Sequence, residues 1–195
     1  MKNNNLLIVI SGPSGVGKGA VIKALLANIT QIKLAISATT RPIRKGEEDE
    51  KDYYFLSNEK FDEAIKNNEF IEWCDVHGNK YGTLKKEIKK INENNKIGIV
   101  EIDTNGAQKI KKSYPEIVSI FIAPPTLSIL QSRLENRQTE TKEEIRQRIE
   151  NAKKELTEIE HYDYVVINDT IINSSKKIQL IITESFNLWG SNNVK

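Results

Sequence analysis

Ser11-Gly12-Pro13-Ser14-Gly15-Val16-Gly17-Lys18 decides the fold of this chain. It follows a short apolar run at residues 6–10 and leads into Val21-Ile22-Lys23-Ala24-Leu25-Leu26, whose apolar residues recur at helical spacing. Strand, glycine-rich turn and helix therefore follow one another. Glycines at 12, 15 and 17 let the backbone curl so that several N–H groups point inward, and the new helix aims its positive end at the same spot. The product is an anion cradle of phosphate size. Lys18 adds a full charge on a flexible stem that can follow the outer phosphates of a nucleotide. The pattern is G-x-x-x-x-G-K without its final hydroxyl, because Gly19 and Ala20 follow the lysine. A bound Mg²⁺ would then rest on phosphates, water and a carboxylate elsewhere.

Working outward, three further apolar runs at 97–102, 118–122 and 164–167 are short, β-branched and continuous rather than alternating. Strands buried on both faces of a parallel sheet look this way. Residues 34–37 read as a short second strand. Helical patterns occupy 105–112, 127–135, 141–158 and 174–188, the third opening with the capping box Thr141-x-x-Glu144. Alternating strands and helices predict a three-layer α/β domain over 1–195. Two segments break the alternation. Residues 37–84, with Phe61, Ala64 and Ile65 on one helical face, read as an inserted unit of mixed strands and one helix. Residues 126–158, with Arg133, Arg137, Arg146 and Arg148, read as a charged helical hairpin suited to a solvated lid. The core then comprises 1–36, 85–125 and 159–195.

The 29 basic and 27 acidic residues leave a net charge of +2, so no broad field favours nucleic acid or an anionic membrane. One cysteine, Cys74, excludes an internal disulfide and a cysteine-based metal cluster, in keeping with a reducing, cytoplasmic location. No signal peptide or membrane span is expected. Cys74 and Trp73 read as packing residues, His77 and His161 as isolated with no partner at metal-ligand spacing, and Trp189 as docking the last helix. Monomer and homo-oligomer both stay open.

The insertion begins Ser37-Ala38-Thr39-Thr40-Arg41-Pro42-Ile43-Arg44, followed by Gly46-Glu47 and Lys51-Asp52-Tyr53. Two guanidinium forks beside a phenol suit a second phosphate. With Glu69-Phe70-Ile71-Glu72-Trp73, Tyr81-Gly82-Thr83, Glu101-Ile102-Asp103, Phe121-Ile122-Ala123-Pro124-Pro125, Arg133-Leu134 before Arg137, and Val166-Ile167-Asn168-Asp169, the chain strongly resembles the guanylate kinase family. The motifs run in that family's order from residue 11 to 169.

The resemblance implies a P-loop nucleoside monophosphate kinase fold with a GMP-binding insertion and a lid, and ATP and GMP as its small-molecule partners. Ser37, Glu72, Thr83 and Asp103 match the guanine readers. Arg41, Arg44, Tyr53 and Tyr81 match the positions that hold the GMP phosphate. Gly12, Pro13, Ser14, Gly15, Val16, Gly17, Lys18, Gly19 and Ala20 match the ATP loop, and Asn168 a position near adenine. Arg133, Arg137 and Arg148 match lid arginines that reach the transferring group. Arg146 lies outside the match. Glu101, at a strand end, is the candidate for a water-mediated magnesium contact. The chain departs from the family at Ala20, where a threonine is common, and at Glu50, Asn136 and Gln138, where glycines are common.

Such an enzyme needs no catalytic base, and the insertion and lid are expected to close over the core once both nucleotides bind. Two other functions compete: a non-catalytic module that binds phosphorylated peptide in the acceptor site, and a kinase for another nucleoside monophosphate. Retention of Lys18 and the lid arginines weighs against the first, and Glu72 with Asp103 against the second.

Overall fold

The computed structural model describes residues 7–76, 78–136 and 141–192, side chains from 186 onward excepted. Strands β1 (Leu7–Ser11), β2 (Ile32–Leu34), β7 (Ile97–Glu101), β8 (Val118–Ala123) and β9 (Tyr164–Ile167) form one sheet in the order β2-β7-β1-β8-β9. The pairs β2–β7 and β8–β9 are parallel, with Ile32 opposite Ile97 and Ile120 opposite Tyr164. Every residue of β1 is buried, as are the first four of β7, so both faces of these strands are covered. That accounts for their unbroken apolar runs.

A second sheet is built from β3 (Ser37–Thr39), β4 (Tyr54–Phe55), β5 (Phe70–Val76) and β6 (Asn79–Leu84), ordered β4-β3-β6-β5. It is mixed, since β3 runs parallel to β4 and antiparallel to β6. Helix α2 (Asn58–Lys66) closes one face through a small core of Ala38, Phe61, Ala64, Phe70 and Leu84. Within it Phe61 and Phe70 stack with ring centroids 4.4 Å apart.

The remaining helices are α1 (Lys18–Asn28), α3 (Lys85–Glu93), α4 (Thr104–Ser113), α5 (Leu127–Glu135), α6 (Lys142–Leu156) and α7 (Ile171–Asn192). The predicted capping box is present on α6: Thr141 Oγ1 accepts from the Glu144 N–H at 3.3 Å, and Glu144 accepts from the Thr141 N–H at 2.7 Å. The last turns beyond α6 tighten into a 3-10 helix at Thr157–His161. Residues 34–37 do not form one strand. The chain leaves β2 at Ala35, whose N–H donates to Ile99 O at 2.8 Å, and starts β3 at Ser37 in the other sheet. Helix α3 was not anticipated, although Ile88 and Ile91 sit three apart on its buried side.

The fold divides into two compact units. One includes Gln31–Val100 and Asn105–Ile117, and the other Val9–Thr30, Glu101–Thr104 and the chain from Val118 on. Trp73 is not a packed core residue: it is 37% exposed, with the Lys109 ammonium 5.6 Å from its ring centroid. His161 is exposed, with Glu158 Oε2 3.7 Å from its Nε2. His77 and the Trp189 side chain lie outside the described residues. No described helix is long and apolar enough to cross a membrane.

Candidate active site

In the second unit the loop between β1 and α1 has the curl its glycines predict. Gly12 has φ +142°, and a Cβ there would stand 2.1 Å from the Ile122 carbonyl oxygen. Gly17, at φ +98°, would bring a Cβ to 2.9 Å from Asn168 Nδ2. Only glycine fits either position. Helix α1 starts from Gly17 with no side-chain cap and no acidic residue in its first turn, so its N-terminal N–H groups are left for an anion. Three other helix starts are treated differently: Ser57 caps α2, Thr126 caps α5 and Thr141 caps α6.

Lys18 folds back over the loop, its Nζ donating to Gly12 O at 2.5 Å and Pro13 O at 3.2 Å. Burial holds its ammonium below the usual lysine range, and the carboxylates of Glu101, Glu155 and Asp103 oppose that shift. Burial pushes the Glu101 carboxyl up, with Lys18 pulling the other way. A Cβ on Gly19 would point at Glu101, 4.0 Å from Oε2, which puts this carboxylate opposite the place of the missing hydroxyl. Among the described residues no group of three or more His, Cys, Asp and Glu could hold a metal by itself. Glu101 therefore fits a magnesium ion held mainly by phosphates and water, with the carboxylate in a secondary place.

Three side chains buttress this loop. Asn168, 3% exposed, donates from Nδ2 to Val16 O at 2.7 Å and accepts from Ser174 Oγ at 2.9 Å. Arg133 donates to Val16 O at 3.3 Å and to Asn168 O at 2.9 Å. Arg148 donates to Ser14 Oγ at 3.1 Å. Arg146 is exposed, as expected of a residue outside the match, and Arg137 and Gln138 lie outside the described residues. Asn136, where a glycine is common, has φ −66°, so the backbone makes no demand for glycine there. Glu155 was missed by sequence reasoning. Burial pushes its carboxyl up, with the Lys18 charge pulling the other way.

The first unit gathers a second set on one face of the mixed sheet. Ser37 pairs with Thr83, and Thr83 with Glu72, so three strands place these side chains in one row. A register shift between Phe70 and Glu72 makes this possible. Phe70 pairs with Leu84 on the core side, whereas Glu72 is re-aimed to stand beside Thr83. Glu72 is 7% exposed and Thr83 1%, and among the described residues the Thr83 hydroxyl has no hydrogen-bond partner. Two residues further along, Thr39 pairs with Tyr81. Beyond that row lies Arg41, its guanidinium 4.9 Å from the Tyr53 ring centroid, while the Tyr53 and Tyr81 rings are 6.2 Å apart.

Arg41 is held by Glu47 in a bidentate pair, with both N···O distances 2.6 Å. Glu47 also accepts from the Arg44 N–H at 2.9 Å. The hydrogen bonds from Arg41, then that from Arg44, bring the Glu47 carboxyl down to about 2. Glu47 too went unassigned in the sequence, although its place between two arginines and Tyr53 was the available signal. Asp103, the fourth expected base reader, belongs to the second unit, just past the end of β7.

A parallel sheet, a glycine loop opening an uncapped helix and a lysine folded over it define a P-loop phosphotransferase. Comparison with known proteins narrows the class. The guanylate kinase family model matches residues 4–185. A guanylate kinase of Caldanaerobacter subterraneus subsp. tengcongensis is 46% identical over 93% of this chain and 88% of its own length. One from Lactobacillus acidophilus is 45% identical over 93% of this chain and 90% of its own. The crystal structure of guanylate kinase from Anaplasma phagocytophilum superposes with a TM-score of 0.73 at 33% identity, covering 92% of this chain and 85% of that one. The chain belongs to the guanylate kinase family.

Proposed function

We propose that this chain transfers the γ-phosphoryl group of ATP to GMP, giving ADP and GDP. The row Ser37, Thr83 and Glu72, with its unpartnered buried hydroxyl, is the observation that carries this reading. Guanine presents N1–H and an exocyclic NH₂ as adjacent donors, which suit ionised carboxylates such as Glu72 and Asp103. Ser37 and Thr83 hydroxyls donate to O6. Adenine offers the wrong pattern on that edge, and a site of specific hydrogen bonds rejects such a mismatch by on the order of 10⁴-fold.

Arg41, Arg44, Tyr53 and Tyr81 hold the GMP phosphate. Its second pKa is about 6, so the acceptor oxygen is ionised at neutral pH and is itself the nucleophile. What remains is charge neutralisation and alignment. Lys18 follows the transferring group, the loop amides from Gly12 to Ala20 hold the triphosphate, and Arg133, Arg137 and Arg148 balance charge on the phosphoryl oxygens. Asn168 serves ATP by bracing the loop from behind. A magnesium ion, with Glu101 reaching it through water, would add further neutralisation of the phosphates.

A panel of nucleoside monophosphates with ATP, read by ADP release, tests this directly. GMP should be converted rapidly, and AMP and TMP orders of magnitude more slowly. No ADP with GMP would overturn the proposal. Lys18→Met should lower kcat by about 10²–10³-fold, the scale of losing one charge-stabilising donor. Circular dichroism should show its fold unchanged.

A further inference from the structure

We infer that Glu87 is a positioning residue for the GMP-binding face: its buried carboxylate ties together the segments that carry Ser37, Tyr53 and Thr83. The inference rests on the reading of this face as the GMP site, and all of these residues belong to one compact unit. Glu87 lies in the first turn of α3, where an acidic side chain ordinarily faces solvent and complements the helix dipole. Here it is 1% exposed. Burying a carboxylate is costly unless hydrogen bonds replace its water, and Glu87 accepts from two distant segments. Its Oε2 accepts from the Tyr54 hydroxyl at 2.8 Å, and its Oε1 from the Ile36 N–H at 3.4 Å.

Each partner stands next in the chain to a residue of the site. Ile36 directly precedes Ser37, which opens β3; Tyr54 follows Tyr53; and α3 begins directly after β6, the strand of Tyr81 and Thr83. Strand β4 is only two residues long and lies at the sheet edge, so its ladder to β3, with Ala38 opposite Tyr54 and Thr39 opposite Phe55, gives it little hold. The bond to Glu87 supplies a second hold. Neighbouring side chains of an extended chain point to opposite faces. A Tyr54 ring packed on the insertion core, with its hydroxyl fixed by Glu87, therefore keeps the Tyr53 ring on the other face, where it meets Arg41 and Tyr81. Without that tether Tyr53 and Ser37 keep their chemistry but lose their place.

The test is steady-state kinetics of the full chain, with GMP and ATP varied separately and magnesium chloride present. Tyr54→Phe removes only the hydroxyl and leaves the ring in its packing, and should raise KM for GMP about three- to tenfold. At saturating GMP, kcat and KM for ATP should stay within about twofold of wild type. Glu87→Ala should raise KM for GMP at least as much, and the double variant no further than Glu87→Ala alone, because both changes remove one bond. Unchanged KM for GMP in Tyr54→Phe overturns the inference, whether or not Glu87→Ala folds. So does an equal rise for both nucleotides, since the effect would then lie in the fold at large, and so does a double variant whose effect is the product of the two single ones. A wild-type chain that converts no GMP overturns the underlying reading of the face instead.

Discussion

Thr83 shows at the scale of one residue how a site differs from a core. Its hydroxyl is buried at 1% exposure without a partner, an arrangement that costs about 1–3 kcal/mol. Thr83→Val replaces the hydroxyl by a methyl of the same shape, so the melting temperature should hold or rise. KM for GMP should rise about tenfold, the loss of one buried hydrogen bond. A fall in melting temperature with unchanged KM would mean that the hydroxyl serves the fold. Glu50 carries a cost of another kind, with φ +63° where the family commonly has glycine. Glu50→Gly relieves the left-handed strain but adds freedom to the unfolded chain, for a net gain of about 0.5 kcal/mol. Urea denaturation measures it, and a loss of stability would refute the strain.

At the scale of elements, the informative feature is the register shift in β5. A regular strand would place Phe70 and Glu72 on the same face, one of them wrongly. The shift sends the ring to the core and the carboxylate to the site. In the segment after β3, Glu47 orients Arg41 and takes the Arg44 N–H. Its carboxyl is lowered in the folded state, so the stability it adds is present above the ordinary carboxylate value of about 4.3. That stability is lost as pH falls through about 2. Glu47→Gln should therefore narrow the drop in melting temperature between about pH 4.3 and 2, measured against wild type. An identical acid profile for both proteins would remove Glu47 from this role.

For the whole molecule, a loop left open to an anion implies stabilisation by ligand. ATP at one hundred times its dissociation constant adds about 2.7 kcal/mol, which in a chain of this size raises the melting temperature by roughly 5–10 °C. A thermal shift within 1 °C at about that saturation would contradict ATP binding to the folded state. Much of this architecture was legible in the chain alone. Gly12, Gly17 and Lys18 could be read because the cradle is local: its donors, its turn and its helix lie within one continuous stretch, and its glycines meet a backbone requirement. The buried strands were readable for the same reason, since burial on both faces writes itself as an unbroken apolar run. Tertiary structure alone decided the rest. Arg148 meets Ser14, and Glu72 stands beside Thr83, through the packing of α6 on the loop and a one-residue slip in a strand. Neither leaves a periodic mark, because pairing between distant segments is set by which surfaces can be buried together, not by the residues next to them in the chain.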